Sequence, residues 1–419
     1  MNRVLETEVL VVGAGPSGLL TAALLAEAGV DAMLVDREQR PATRSYACGL
    51  HPGSLKLLAR LGLLDELLAG GRRLDRVVFY SADQGREAEV SLGALPAEYP
   101  FVLVLPQHKL EALLASRLGT LGGRVLWHHR LSAMRAEPDR VLAEVDQLVG
   151  TATGSAVPRW HWVVGRTLEV SARFVVGADG HHSLVRQLMD IRHDHWAPAE
   201  LYVAYEFTAA KALPDELAVV LTDHTKSVLW PLPGGRCRWS FQLTELDDLE
   251  FPDKDRQPFW SESPPVAQQT RERLQQRLRA RAPWFPGEIP ELDWAADIQF
   301  QNRLVRQYGR GRCWLVGDAA HQTAPGGIQS MNVGLLEAED LAGRLGRILR
   351  GEGGMELLAE YDQNHRATWL RLLGARGALT ASDTTPPWVK NHCGQMLSSL
   401  PASGPDLPLL LRQLGLNWT

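Results

Sequence analysis

Near its start the chain carries Gly13-Ala14-Gly15-Pro16-Ser17-Gly18, set between two stretches of different texture. Before it, Val9-Leu10-Val11-Val12 is a short β-branched run of the kind that forms a strand buried on both faces. After it, apolar residues from Leu19 to Gly29 recur at helical spacing, and the stretch stops at a glycine, as helices do. Asp31 to Val35 reads as a second buried strand, with Asp36 at its end. Such a strand–turn–helix–strand needs each glycine for its own reason. One makes the tight turn, one lets the backbone approach a pyrophosphate, and the third packs helix against strand, while the helix N-terminus faces the negative charge. Asp36 is placed to accept hydrogen bonds from ribose hydroxyls. A lone GxGxxG is weak; strand, helix and acid in register make this one a dinucleotide-binding opening. The competing reading is a glycine-rich turn with no ligand. Ser17 is no nucleophile, because no Gly-x-Ser-x-Gly elbow surrounds it.

At 419 residues the chain is too long for one ordinary domain, and two or three sharing a core are expected. Its 45% hydrophobic and 22% charged residues exclude disorder and fibre. A net charge of −5 without any block of like charges argues against nucleic acid as a partner. The apolar run that ends at Gly13 is too short to span a membrane and lacks a signal-peptide cleavage site. Cys48, Cys237, Cys313 and Cys393 form no CxxC pair and read as reduced thiols of a cytoplasmic protein. His128-His129 and His181-His182 have no partner at metal spacing, so no metal is expected.

Further along, Leu55 to Leu68 reads as an amphipathic helix bent or broken at Leu61-Gly62-Leu63. Arg76 to Tyr80 and Glu87 to Leu92 read as paired strands, Lys109 to Leu121 as a helix, and Val141 to Val145 as a strand. Gly150 to Pro158, rich in Gly, Thr, Ser and Ala, reads as a loop, with Trp160-His161-Trp162 as surface packing beside it. From Ile191 to Leu292 strand-like segments recur at 201–207, 218–221, 227–232 and 237–243, followed by a helix at Gln268 to Arg281. That stretch reads as an antiparallel sheet inserted into the first domain. Val333 to Leu349 is a long helix, and the tail after Gly354 is helical with proline breaks.

Two more motifs follow in order. Arg173-Phe174-Val175-Val176-Gly177-Ala178-Asp179-Gly180 is a buried strand ending in a turn, followed by Ser183 and Arg186. Arg312-Cys313-Trp314-Leu315-Val316-Gly317-Asp318-Ala319-Ala320-His321 precedes Pro325. With the glycine loop, these resemble the fingerprints of the group A flavin monooxygenases, the family of p-hydroxybenzoate hydroxylase and the polyketide hydroxylases. The resemblance covers residues 5 to about 370. It implies an α/β fold: a Rossmann-like FAD-binding domain (1–75, 101–190, 293–350), an antiparallel-sheet substrate domain (76–100, 191–292) and a helical C-terminal segment (351–419).

Carried over by residue, the resemblance implies that Gly13, Gly15 and Gly18, with Pro16 and Ser17 at the helix start, cradle the pyrophosphate of non-covalent FAD. Asp36, with Arg37 beside it, holds the adenosine ribose. Arg44 is similar to the arginine beside flavin and pyrophosphate, and Gln107 to the glutamine on the phosphate or ribityl chain. Leu131 matches a backbone position near adenine. Asp179-Gly180 resembles the motif that serves both FAD and the coenzyme, NADPH or NADH. Asp318 is implied on the ribityl chain, and Pro325 at the ring where oxygen reacts. Gly327, Met331 and Asn332 belong to the loop and helix start at the pyrimidine edge, where a helix N-terminus suits the negative charge of a reduced flavin. The implied reaction forms a flavin C4a-hydroperoxide from O2 and delivers oxygen to an aromatic or polycyclic natural-product-like substrate.

The loop after Pro325 departs from the family pattern x-Gly-Gly-Gln-Gly-Met-Asn. Here it is Gly326-Gly327-Ile328-Gln329-Ser330-Met331-Asn332, and a β-branched residue does not readily take a positive φ. Either the backbone is reshaped or the flavin rests differently. Too few residues follow Tyr361 for the thioredoxin-like domain of some relatives. On the inserted sheet, Tyr202, Tyr205, Trp230, Trp239 and Gln242 are the substrate candidates. Tyr202 and Tyr205 are three apart, so in a regular strand only one of them lines the pocket. His321 reads as a helix-start histidine with a structural hydrogen bond. Three alternatives stay open: a flavin oxidoreductase without oxygen insertion, an epoxidase or ring-rearranging monooxygenase, and a flavin-less binding protein like the GDP-dissociation inhibitors. Substrate, hydroxylation against epoxidation, coenzyme choice and oligomeric state are not legible.

Overall fold

The apolar run near the N-terminus forms the strand Leu5–Val12, and it lies at the centre of a sheet because its side chains leave no polar face. In the computed structural model, residues 4–39, 48–83, 85–153, 159–244, 264–285, 289 and 291–418 are described. Leu5–Val12 pairs in parallel with Ala32–Val35 on one side and with Arg159–Gly177 on the other. Val125–Leu126 and Cys313–Leu315 extend the parallel set outward. The three motifs therefore end on neighbouring parallel strands, so their C-terminal turns open into one crevice, where open α/β sheets bind ligands.

Val141–Thr153 and His129–Ala136 add an antiparallel flap to this sheet. The ladder between Val141–Thr153 and Arg159–Gly177 corrects the expected loop at 150–158. Gly150 pairs with Trp162 and Thr153 with Arg159, so the hairpin arms run on to the turn; 154–158 lie outside the described residues. Small polar residues favour loops, but a paired partner strand overrides that preference. Trp162 is half-exposed and stacks on His128 at 4.5 Å, the surface packing expected of it.

The second sheet holds eight strands. Its centre is His193–Thr208, flanked by Arg236–Leu243 and Glu291–Val305, both antiparallel to it. Lys226–Pro231, Leu217–Leu221, Arg76–Ser81 and Gly85–Ser91 continue one way, and His321–Gln322 closes the other end. Residues 293–305, grouped above with the FAD-binding part, thus run in this second sheet. One face of it is roofed by the helix Pro264–Arg281, whose Leu274 and Leu278 pack on Tyr205, Phe207, Trp239 and Phe241. The other face looks toward the first domain and belongs to the large core.

The expected break is present. Helices Pro52–Arg60 and Leu64–Gly70 meet at Gly62, whose φ of +74° a glycine adopts without strain. The long helix starts at Gln329 rather than Val333 and runs to Leu349. In the tail, helices Glu356–Leu372, Pro387–Leu397 and Leu407–Gln413 are joined by an unforeseen pairing of Leu379–Ala381 with Leu416–Trp418.

Candidate cofactor and substrate site

Each glycine of the first loop meets a different constraint. Gly13 has φ +103°, and a Cβ built on it would lie 2.3 Å from Ala178 O, the residue before Asp179. On Gly18 a Cβ would lie 1.8 Å from Gly13 O, so helix and turn touch only because it is absent. Gly15 has nothing within 4 Å of a built Cβ. It is the N-cap of the helix Pro16–Glu27, and open space fronts the helix amides there. A turn, a close contact and an open cradle are what a pyrophosphate-binding loop requires. Ser17 packs where Gly317 and Gly334 carry no side chain, 2.6 and 2.8 Å from a Cβ built on each, which locks the first motif to the third.

Asp36 accepts from Ala14 N at 2.5 Å and from Glu38 N at 2.7 Å, so its carboxylate is pinned at the rim of the glycine turn. Each oxygen keeps a further lone pair for a ribose hydroxyl. Arg37 is exposed and pairs with Glu38 at 3.4 Å. His129 N donates to Asp36 O, bringing the strand that bears the buried Leu131 alongside. Gln107 opens the helix Gln107–Thr120 and donates to Glu111 at 2.8 Å. Arg44 lies outside the described residues.

Asp179 caps the helix Leu184–Leu188: its Oδ2 accepts from Leu184 N at 2.7 Å and Val185 N at 3.1 Å. Burial raises its carboxyl pKa, opposed by these bonds and by Ser183. Gly180 turns the chain at φ +74°. Asp318 stands on the short turn Gly317–Ala319, ringed by protein yet accessible from the crevice. That surrounding pushes its carboxyl upward, against the pull of His321 and Arg303.

Sequence reasoning missed what holds this turn. Glu337 is fully buried and accepts from Gly317 N at 2.9 Å, His321 Nε2 at 2.9 Å, Tyr308 OH at 2.7 Å and Trp369 Nε1 at 3.1 Å. Burial would raise its carboxyl, but the His321 ring and the accepted bonds outweigh that and hold it below the ordinary value. The signal was there: 333, 337, 341 and 345 form the core stripe of one helix, and one of them is an acid. His321 has the structural bond expected of it.

At the other end of the crevice, Ile328 occupies the left-handed region, φ +48° and ψ +42°. The isoleucine is strained in this glycine-like backbone, by about 1–2 kcal/mol. His51, also missed, donates from Nε2 to Gly327 O at 2.8 Å, and its backbone N donates to Asn332 Oδ1 at 2.8 Å. Asn332 Nδ2 donates to Gly49 O and to Ile328 O, both at 2.9 Å. Burial pulls the His51 pKa down to about 4, so the ring is the neutral donor at neutral pH. A Cβ on Gly327 would lie 2.3 Å from Leu400 O, because the C-terminal segment packs directly on this loop. Half-buried Pro325 accepts from Ile328 N at 3.2 Å, Ser330 Oγ accepts from Thr323 N, and Met331 is half-buried beside Asn332.

Cross-strand partners share a face of a sheet, which separates the five substrate candidates. Tyr202 pairs with Gln242 and Ile298, and Arg238 with Glu206 and Trp230, all on the face toward the loop 326–332. Trp230 fixes the direction, since its ring lies 3.1 Å from a Cβ built on Gly49. Tyr205 and Trp239 point the other way, into the core under the helix Pro264–Arg281. That placement corrects their candidacy: strand alternation buries them away from the crevice. On the inner face Glu200 accepts from Tyr202 OH at 3.0 Å, Gln242 Nε2 at 3.0 Å and Lys226 Nζ at 3.1 Å. Asn302 links the same carboxylate to Ala324 N, next to Pro325. Glu206 holds Arg238 and Arg236, and Arg238 lies 5.2 Å over the Trp294 ring. Cys48 sits beside Arg238, with burial pushing its thiol up to about 11. Among the described residues no group of His, Cys, Asp and Glu has metal-holding geometry.

Residues 6–373 match the FAD binding domain family. The chain is 30% identical to 6-methylpretetramide 4-monooxygenase of Streptomyces rimosus over 89% of its length, and covers 62% of that protein. It is 29% identical to rifampicin monooxygenase of Rhodococcus hoagii over 86% of its length, covering 68% of that one. The chain thus spans roughly two thirds of the length of these curated relatives. Its fold superposes on p-nitrophenol 4-monooxygenase from Pseudomonas putida with a TM-score of 0.74 at 23% identity, over 98% of this chain and 97% of that one. On the anhydrotetracycline hydroxylase of Streptomyces rimosus the TM-score is 0.67 at 25% identity, over 88% and 68%.

Proposed function

The chain belongs to the FAD-binding group A flavin monooxygenase family, and from that premise we propose that it is an FAD-dependent monooxygenase using NADPH or NADH and O2. Its substrate is an aromatic or polycyclic compound, which it hydroxylates or epoxidises. The observation that carries this reading is the loop 13–18, where Gly13 and Gly18 are closed by backbone and Gly15 alone opens to free space. Non-covalent FAD, when bound, would supply the redox chemistry between the nicotinamide coenzyme and O2.

The chain's own work is to bind, orient and exclude water. Gly13, Gly15 and Gly18 with the helix Pro16–Glu27 take the pyrophosphate, Asp36 the ribose and Asp318 the ribityl hydroxyls. Arg44, Gln107, Leu131 and Asp179-Gly180 complete the cofactor and coenzyme contacts, and Pro325, Gly327, Met331 and Asn332 form the ring end. Tyr202, Trp230 and Gln242 face the crevice and orient the substrate, with the Glu200–Lys226 and Glu206–Arg238 pairs behind them. The tail residues Ser398 to Leu400 close the crevice over Gly326 and Gly327. Free thiols at all four cysteines support a cytoplasmic setting, and among the described residues no helix is long and apolar enough to cross a membrane.

The test is a screen of phenols, quinolones and polyketide aromatics under labelled O2, following coenzyme consumption and product mass together. One labelled oxygen atom is expected in the product, the other leaving as water, with one coenzyme oxidised per turnover. A dehydrogenated product without label would point to an oxidoreductase that inserts no oxygen. A colourless protein that binds no added FAD would overturn the enzyme reading.

A further inference from the structure

A left-handed backbone is the one place in this loop where a β-branched side chain is costly and a glycine is free. A residue serving only to fill space has no need to stand there. Yet Ile328 stands at φ +48°, and four contacts hold it. His51 Nε2 donates to Gly327 O at 2.8 Å, and Asn332 Nδ2 donates to Ile328 O and Gly49 O, each at 2.9 Å. From the far side, Leu400 O would lie 2.3 Å from a Cβ on Gly327. The clamp therefore fixes where the side chain points. Its Cδ1 comes to 3.3 Å from a Cβ built on Gly49, beside the Trp230 ring at 3.1 Å. Only 8% of Ile328 is exposed.

With the pyrimidine edge of the flavin at Met331 and Asn332, as proposed above, we infer that Ile328 is a positioning residue for the cofactor ring. Its side chain packs against Gly49 beside the Trp230 ring and sets how far the ring edge enters beside the helix start. The strained backbone is what aims the side chain there, and the His51–Asn332 clamp keeps it strained. The site is distinct from the glycine loop at 13–18, so the pyrophosphate end is indifferent to it.

Three variants separate side chain from backbone. I328G removes both the plug and the strain, I328A removes the plug and keeps the strain, and I328V loses only Cδ1. The readouts are the flavin absorbance and fluorescence of each FAD complex, the Kd for FAD, and the Kd for ADP. I328A and I328G are expected to shift the flavin spectrum alike and to raise the Kd for FAD by about threefold or more. I328V shifts in the same direction by less, and the Kd for ADP is unchanged in all three. Spectra and Kd identical to the parent would overturn the inference. So would a change confined to I328G, which would assign the effect to backbone strain, or a parallel change in ADP affinity, which would mean general loosening. If the parent and every variant bind ADP but no FAD, the cofactor reading itself falls, and this inference with it.

Discussion

The loop 13–18 and the loop 326–332 both carry glycines at the ends of one crevice, and they are built on opposite terms. In the first, the backbone decides everything: Gly13 and Gly18 are each excluded from carrying a side chain by main-chain atoms within 2.3 Å of where its Cβ would be. In the second, one demanding position is filled by Ile328, and Asn332 within the loop, with His51 and Leu400 from far along the chain, supplies what a glycine would have made unnecessary. A phosphate contact is a matter of backbone amides, which tolerate no variation. A ring contact is a matter of shape, which side chains can adjust.

The largest expected effect is at the rigid end. Gly18→Ala puts a methyl 1.8 Å from Gly13 O, and unfolding measurements should show a loss of about 4 kcal/mol or more, the range of gross core faults. Gly15→Ala is the control, because its methyl would meet nothing within 4 Å. Its stability should stay within about 0.5 kcal/mol of the parent, while FAD affinity falls by about tenfold or more. Equal loss of stability in both variants would break the contrast between closed and open glycines.

The clamped end should be the acid-sensitive one. His51 is neutral in the folded chain with a pKa near 4, whereas an unfolded histidine takes its proton near 6.5. Stability is therefore complete above about pH 6.5 and is lost as pH falls toward 4, by up to about 3 kcal/mol for this fully buried ring. His181 and His193 are pulled down to about 4 as well, and His108 is lowered too, by burial first in each, so His51 is one of several contributors to the parent's slope. The difference between the parent and His51→Gln isolates one. Thermal unfolding from pH 7 to 4 should show a shallower decline in the variant; identical slopes would remove His51 from the account.

Asp318 lies between the two ends. Asp318→Ala should weaken FAD by about 2 kcal/mol, since hydrogen bonds to charged groups are the stronger kind. The fold should be intact, because Glu337 and not Asp318 holds the turn. Unchanged FAD affinity, read by titration of the apoprotein, would move the ribityl site elsewhere.

How much of this the sequence carried follows the same division. Backbone-dictated features were legible: the strand–turn–helix at 5–27, the break at Gly62, the three motifs converging on one crevice. Features that depend on a partner far along the chain were not. The far end of the 141–177 hairpin, from Gly150 on, reads as a loop until its partner strand is known. Tyr205 and Trp239 could be told from Tyr202 and Trp230 only by strand register. Glu337 was visible as an acid on an apolar stripe, but its four donors come from three other segments. His51 and the tail at Leu400 gave no local sign that they meet residue 327, since the first contact spans 276 residues and the second joins the loop to another segment altogether.

The account stands or falls on whether one chain both takes hydride and holds the substrate against the ring. The direct measurement is anaerobic mixing of the FAD-loaded protein with NADPH and with NADH, watching the flavin absorbance, with and without an aromatic ligand. The prediction is bleaching by at least one coenzyme without any partner reductase, faster when the ligand is bound. If dithionite bleaches the flavin while neither coenzyme does under any ligand tested, self-sufficient monooxygenation is wrong, and the flavin must be reduced by a separate protein or by the substrate itself.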